Sequence, residues 1–144
     1  MSAHRINLKG PWHAEIIALL RGGDAIHRDP ETVRLPTDWS VLFGECSGTV
    51  EFRRGFHSPS NLDHNTLVRI GTDACGGCGA VFLNGHALGE IPGTADGWQF
   101  EVSRQLEAFN QLCIRLEVSE ETSGRRGLWA PVYLEIEEPP DRLD

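Results

Sequence analysis

The sequence predicts a single all-β sandwich domain, and three observations lead to this prediction. Short runs alternate apolar and polar residues, clusters of Gly, Pro, Asn and Asp separate these runs, and helical periodicity is scarce. A chain of 144 residues also has the usual size of one domain. We therefore expect two packed sheets within residues 1–137, followed by an acidic, proline-containing tail at residues 138–144.

The clearest predicted strand lies between Leu112 and Val118. Its apolar residues occupy every second position, so they share one face of the strand and leave Cys113, Arg115 and Glu117 on the other. That strand should have one buried face. The same pattern predicts further strands at Val50–Phe56, Thr66–Ile70, Ala80–Leu83, Trp98–Val102 and Leu128–Ile136, after a less regular stretch from Trp12 to Leu35.

Turn chemistry predicts one hairpin directly. Asn84 and Gly85 both tolerate positive φ, which a tight two-residue reversal requires. Val81–Leu83 should therefore turn straight into a strand at Ala87–Glu90.

Antiparallel strand order predicts which loops meet. The loops Asp73–Gly79, Ile91–Gly97 and Glu120–Gly127 should emerge at one end of the sandwich. The other end should collect Ser58–Asn65, the Asn84-Gly85 turn and Arg104–Phe109.

Charge narrows the range of partners. Thirteen basic residues against 21 acidic ones give a net charge of −8, which disfavours nucleic acid and anionic membrane surfaces. The longest apolar run, Ile16–Leu20, is far shorter than a bilayer span, and Met1–Pro11 lacks the apolar segment of a signal peptide. We expect a cytoplasmic protein with no membrane contact.

No motif indicates catalysis or a cofactor. Glycoside hydrolysis needs two carboxyl groups beside the sugar, but Glu51, Glu101 and Glu117 each occupy a solvent-facing strand position between apolar neighbours. Serine-elbow and phosphate-loop motifs are absent from the sequence. We predict no catalytic residue, no cofactor and no enzymatic activity.

The four cysteines are predicted to be free thiols without metal. Cys75 and Cys78 have the spacing of half a zinc site, but Cys46 and Cys113 do not supply the second pair of ligands. The glycines around Cys75 and Cys78 instead indicate a tight turn between strands.

Several segments together resemble one protein family. They are Leu35-Pro36-Thr37-Asp38-Trp39, Val50-Glu51-Phe52-Arg53-Arg54-Gly55-Phe56, Val81-Phe82-Leu83-Asn84-Gly85, Phe100-Glu101-Val102-Ser103 and Gly127-Leu128-Trp129-Ala130-Pro131-Val132. In this order they are similar to the N-terminal sugar-binding domain of glycoside hydrolase family 2. The resemblance implies a galactose-binding-like jelly-roll β-sandwich. The resemblance does not imply glycosidase activity, because the catalytic carboxylates of that family lie in a barrel domain that this sequence does not contain.

The resemblance also implies where a sugar would bind. In the family, the loop before the last strand reaches toward the catalytic pocket, and Ser119–Gly127 is the matching loop here. We predict a ligand site at this end formed by Asp96, Trp98, Arg125, Arg126 and Trp129. A tryptophan plane with arginine donors suits the apolar faces and hydroxyl edges of sugars, although a core position for either tryptophan remains the alternative.

Two functions remain open from the sequence. One is a non-catalytic carbohydrate-recognition or accessory module. The other is a protein-interaction or architectural β-sandwich module without a sugar ligand. A concave loop end with an exposed tryptophan would favour the first, and an exposed apolar patch on a sheet would favour the second.

Overall fold

The computed structural model describes residues 2–138 of the chain. Within this range the chain forms antiparallel strands and one short helix. The elements are β1 Ser2–Asn7, β2 Gly10–Arg21, β3 Asp24–Ala25, β4 Glu31–Leu35, α1 Trp39–Phe43, β5 Ser47–His57, β6 Leu67–Ala74, β7 Cys78–Leu83, β8 His86–Pro92, β9 Asp96–Glu101, β10 Phe109–Val118 and β11 Val132–Glu138. The described part of the chain holds no helix with the length and hydrophobicity of a bilayer span.

The strands form two sheets that pack face to face. The smaller sheet has the order β1-β11-β6-β9. The larger one has seven strands, in the order β3-β2-β5-β10-β7-β8 with β4 paired to β2. Neighbours in a sheet are often distant in sequence, as where β10 lies between β5 and β7. The predicted all-β jelly-roll sandwich is confirmed.

The interior is built around β10. Its inward side chains, from Leu112 to Val118, are at most 1% exposed. They are covered because β5 and β7 flank the strand within its own sheet and the smaller sheet contributes residues such as Ile70 and Leu134 to the same core. Burying one such aliphatic side chain contributes about 1.5 to 3 kcal/mol, so this strand is a main source of stability.

The stretch from Trp12 to Leu35, which looked irregular in sequence, is made of the strands β2, β3 and β4. The long strand β2 contains a bulge between Ile16 and Ala18, where its register with β5 shifts. A bulge adds one residue to one strand, so the alternation of apolar and polar residues is interrupted there. Ile17 and Leu20 are consequently 45% and 41% exposed, despite their apolar side chains.

The Asn84-Gly85 hairpin forms as predicted. Asn84 has φ 51° and Gly85 has φ 82°, both in the left-handed region that this turn requires. Leu83 pairs directly with His86, so the loop between β7 and β8 contains only two residues.

The last strand lies further along the chain than predicted. It begins at Val132 instead of Leu128, because Pro131 has no N–H to donate to a ladder. It continues through Glu138, which pairs with Ser2 of β1. Residue 138 therefore belongs to the sheet and not to the predicted tail, and residues 139–144 lie outside the described range.

Helix α1 was not predicted from the sequence. Trp39 and Phe43 lie one turn apart, are 1% and 2% exposed, and pack edge to face with ring centroids 4.7 Å apart. The Trp39 indole N–H donates to the Cys46 carbonyl at 2.8 Å. A helix of five residues is too short to show helical periodicity, so its aromatic pair gave no recognisable signal.

One end of the sandwich is closed by hydrogen bonds to a buried amide. Asn110 is fully buried, and its Oδ1 accepts from Asn84 Nδ2 at 3.0 Å and from the Glu107 N–H at 2.8 Å. Its Nδ2 donates to Ser58 Oγ and to the Glu107 carbonyl, each at 3.0 Å. One side chain thus ties together the three connections that were predicted to meet at this end.

Replacing Asn110 by alanine should destabilise the fold by about 2 to 4 kcal/mol, because it leaves several buried donors and acceptors without partners. Urea unfolding measures this loss. Gln111→Ala, on the exposed neighbouring position of β10, should change the free energy of unfolding by less than about 0.5 kcal/mol. Equal effects of the two substitutions would contradict the assigned role of Asn110.

Candidate functional site

The three loops predicted to share one end do converge there. Gly76 and Gly127 exchange two backbone hydrogen bonds, of 3.1 and 2.8 Å, which join the β6–β7 connection to the loop before β11. A Cβ atom at Gly76 would lie 1.9 Å from the Arg125 carbonyl oxygen. The close approach therefore requires glycine at position 76 of the turn Cys75–Gly79.

A polar hollow lies between these loops. Its volume is about 300 Å³, and it is lined by Gly76, Gly77, Gly93, Thr94, Ala95, Glu121, Thr122 and Ser123. All three predicted loops contribute to this lining. We call it the loop hollow.

A second depression lies on the other side of the loop before β11, against α1. We call it the helix groove; it is about 270 Å³ and is lined by Asp38, Ser40, Gly44, Glu45, Gly124, Arg125 and Arg126. Two arginines and two carboxylates face one small depression. The helix groove contains two of the five predicted site residues.

Arg125 is held between an aromatic ring and a carboxylate. Its guanidinium lies 4.2 Å from the centre of the Trp129 ring, and its Nε and Nη2 donate to Asp38 Oδ1 and Oδ2 at 3.0 and 3.1 Å. The Arg125 side chain is 57% exposed, so the ion pair itself adds little stability. Its effect is to fix the orientation of the guanidinium at the edge of the groove.

Arg126 is less firmly held. Its Nε and Nη2 contact the Thr122 and Glu120 carbonyls at 3.4 Å, which is long for a hydrogen bond. It forms no ion pair with any described residue. Its donors are therefore available to a ligand in the helix groove.

Trp129 is half-buried, and the guanidinium of Arg125 covers one of its faces. The covered face cannot stack against a sugar while Arg125 stays in place. Trp129 thus acts first as a support for Arg125.

Trp98 does not stand at the loop end. It is 6% exposed and stacks on Phe100 with ring centroids 5.7 Å apart, so the core alternative holds and the expectation of a surface platform is corrected. Strand β9 begins at Asp96, two residues earlier than expected, and the position of Trp98 faces the interior. Asp96 itself is exposed but lines neither the loop hollow nor the helix groove.

The sequence analysis did not single out Asp38 as a site residue. Asp38 immediately precedes α1 and appeared only as part of the Leu35–Trp39 segment. Its pairing with Arg125 spans 87 positions of sequence, and no local pattern reports such a contact. The available signal was the family resemblance, because it singled out both the Leu35–Trp39 segment, which contains Asp38, and the Ser119–Gly127 loop, which contains Arg125.

The four cysteines are free in the structure. Cys75 is 1% exposed and Cys78 is exposed, so the two residues of the Cys-x-x-Cys segment lie in different environments. Burial raises the pKa of the Cys75 thiol to about 11, against a smaller opposing effect of the Trp98 indole N–H. That N–H has no well-aligned acceptor among the described residues, so its contact with the thiol is weak. Residues 2–138 contain no cluster of three or more potential metal ligands.

Comparison with solved structures finds many matches to glycosidases. An FMN-binding β-glucuronidase from Facaelibacterium prausnitzii L2-6 matches with a TM-score of 0.77 and 20% identity, over 94% of this chain and 23% of that one. A putative β-galactosidase from Bacteroides fragilis gives 0.74 and 18%, over 96% and 24% of the two chains. A β-glycosidase from Bacteroides vulgatus gives 0.73 and 22%, over 94% and 20%.

The chain has the fold of one domain of these enzymes. The resemblance to glycoside hydrolase family 2 chains is thereby confirmed as a structural likeness, and the chain spans only about a fifth to a quarter of the length of those three. A scan against protein-family models finds no match, and a search of curated proteins finds no significant relative.

Thiol labelling tests the environments of the cysteines. At pH 8 a thiol with a pKa near 11 is ionised in about one molecule in a thousand, and the thiolate is the reactive form. Iodoacetamide should therefore modify exposed Cys78 first and leave Cys75 and Cys46 intact, as read by mass spectrometry of peptides. Guanidinium chloride should make all four reactive. Modification of Cys75 as fast as Cys78 in the native protein would contradict its burial.

Proposed function

We propose that this chain is a non-catalytic carbohydrate-recognition module and that the helix groove is its ligand site. The observation that carries the proposal is the groove itself, where Arg125, Arg126, Asp38 and Glu45 converge in a small depression beside Trp129. The likeness to domains of glycosidases supports the choice of a sugar as ligand.

The chemistry of the groove suits hydroxyl groups. Arginine supplies N–H donors and carboxylates supply acceptors, so vicinal hydroxyls of a sugar ring find both kinds of partner. Because two cations and two anions line the groove, a neutral ligand meets no large net charge there. Arg126 is the primary donor in this proposal, since Arg125 already contacts Asp38.

The absence of catalysis is part of the proposal. Hydrolysis of a glycosidic bond requires two carboxyl groups placed about 5 to 9.5 Å apart on the two sides of the reacting carbon. Of the two carboxylates in the helix groove, Asp38 is engaged by the Arg125 guanidinium. The chain also matches only about a quarter or less of the length of three of the glycosidases with its fold.

We expect the purified protein not to hydrolyse 4-nitrophenyl β-glucuronide or β-galactoside. Release of nitrophenol is the measurement, with an active β-glucuronidase as positive control. Turnover that survives rigorous purification and disappears in an Asp38→Asn or Glu45→Gln variant would overturn the proposal.

We expect weak glycan binding that depends on Arg126. A shallow, exposed groove should bind its best glycan with a dissociation constant near the millimolar range, or about −4 kcal/mol. A glycan-array screen identifies the ligand, and calorimetric titration then compares variants. Arg126→Gln should weaken binding about tenfold, and Trp129→Ala should remove about 1 to 2 kcal/mol because Arg125 loses its support.

The matched control is Arg104→Gln, which removes an exposed arginine from the opposite end of the sandwich. It should bind as the parent protein does. Unchanged binding by a folded Arg126→Gln variant would exclude the helix groove as the site. Binding lost equally in both variants would indicate a general charge effect.

A specific observation keeps the interaction-module alternative open. Val41, on the exposed side of α1, is 73% accessible and directly follows Ser40, which lines the helix groove. A partner protein would cover Val41 together with the groove. If no glycan binds the parent protein, retention of a partner that Val41→Ser releases becomes the test of this second function.

A further inference from the structure

A separate groove opens where two strands of the larger sheet part. Strands β2 and β5 are paired from His13 and Arg53 onward, whereas Gly10–Trp12 of β2 pair with β4 alone. On the other side, Arg54–His57 of β5 pair with β10 alone. The gap between the diverging strands forms a depression of about 440 Å³.

We call this depression the strand-gap groove. It is lined by Pro11, Trp12, His13, Thr32, Arg53, Arg54, Gly55 and Gln111. Within the described residues its lining includes two arginines and a histidine but no carboxylate. This is unusual on a chain whose net charge is −8.

The two arginines of the strand-gap groove differ in their partners. Arg53 forms ion pairs with Glu15, at 2.7 Å, and with Glu51, so its charge is balanced on the sheet surface. Arg54 is half-buried and forms no ion pair with any described residue. Burial lowers the pKa of the Arg54 guanidinium below its ordinary value, and no acidic neighbour acts in the opposite direction.

The protein satisfies only part of the hydrogen-bonding capacity of Arg54. Its Nε and Nη2 donate to the Lys9 carbonyl at 3.0 and 2.8 Å, and its Nη1 donates to the Gly55 carbonyl at 3.0 Å. These carbonyls hold the guanidinium in the gap between the strands. A guanidinium has five N–H groups, so one on Nη1 and one on Nη2 remain without an acceptor among residues 2–138.

We propose that the strand-gap groove binds the carboxylate of a small acidic molecule, such as a uronic acid, through Arg54. The Arg54 guanidinium is fixed and half-buried, has two unused N–H donors, and forms no ion pair with a carboxylate of the described residues. A carboxylate offers two oxygens to two N–H groups, which is a strong and directional arrangement for arginine. The His13 ring, the Thr32 hydroxyl and the Gln111 amide add polar groups around it.

The charge of the whole chain favours a monoanion. A ligand with two or more negative charges, such as phosphate, is repelled by the net charge of −8 more strongly than a single carboxylate is. The site is independent of the helix groove, because the two share no lining residue.

Titration followed by NMR tests the proposal on the intact protein. Sodium acetate and sodium glucuronate should shift the Nε–H signal of Arg54 with dissociation constants on the order of 1 to 10 mM in low-salt buffer. Glucose, which has the same ring as glucuronate but no carboxylate, should leave that signal unchanged. Added sodium chloride should weaken binding of both anions.

Variants identify the arginine responsible. Arg54→Gln should lower glucuronate affinity at least about tenfold, and Arg54→Lys should lower it less, since lysine keeps the charge but loses the planar pair of donors. Arg34→Gln is the matched control, because Arg34 is an exposed arginine of the adjacent strand β4 outside the groove.

The Arg54 signal of the parent protein decides the matter even if Arg54→Gln fails to fold. No shift of that signal with carboxylates up to about 100 mM would overturn the proposal. So would an equal shift with glucose, or undiminished binding by a folded Arg54→Gln variant. Binding of phosphate without acetate would refute the assignment to carboxylates.

Discussion

The loop end of this protein depends on a short segment of backbone, Arg126–Leu128, that is hydrogen-bonded on both sides. Gly127 pairs with Gly76, while the carbonyls of Arg126 and Leu128 accept from the N–H groups of Trp39 and Thr37, each at 3.0 Å. Gly127 has φ 83°, and a Cβ atom there would lie 2.9 Å from the Cβ of Trp39. Only glycine permits both contacts.

This segment brings together parts of the chain that are far apart in sequence. It holds α1 against the loop before β11, and so it places Asp38 within reach of Arg125. Arg126 is its first residue, and Arg125 and Trp129 flank it directly in sequence. The helix groove exists because a backbone interaction, and not a side-chain cluster, fixes the distance between its two walls.

Regular strands were predictable from the sequence because their side chains alternate between core and solvent. The alternation from Leu112 to Val118 predicted a strand with one buried face, and the positive φ values tolerated at Asn84 and Gly85 predicted the hairpin. Prediction failed where the regularity fails. The bulge at Ile16 and Ala18 disrupts the pattern of β2, and the five residues of α1 are too few to show one.

The candidate site was only partly predictable for a related reason. Strand direction correctly predicted which loops meet, because that depends only on strand order. The orientation of a tryptophan at a strand boundary depends on where the strand begins, and a shift of the start of β9 to Asp96 accompanies the inward position of Trp98. The pairing of Arg125 with Asp38 and the missing partner of Arg54 are long-range properties that no local sequence pattern records.

The two ends of the sandwich are closed by different means, and this affects how freely each can change in sequence. At the Asn110 end, closure depends on one side chain whose amide contacts several connections, so most replacements there would damage the fold. At the loop end, closure depends on peptide groups around two glycines, and peptide groups are common to all residues. Side chains at positions such as Ser123 and Arg125 can therefore be exchanged without loss of the connection itself. The loop end is accordingly the part of this scaffold where new ligand specificity could be introduced by mutation, provided that Gly76 and Gly127 are kept.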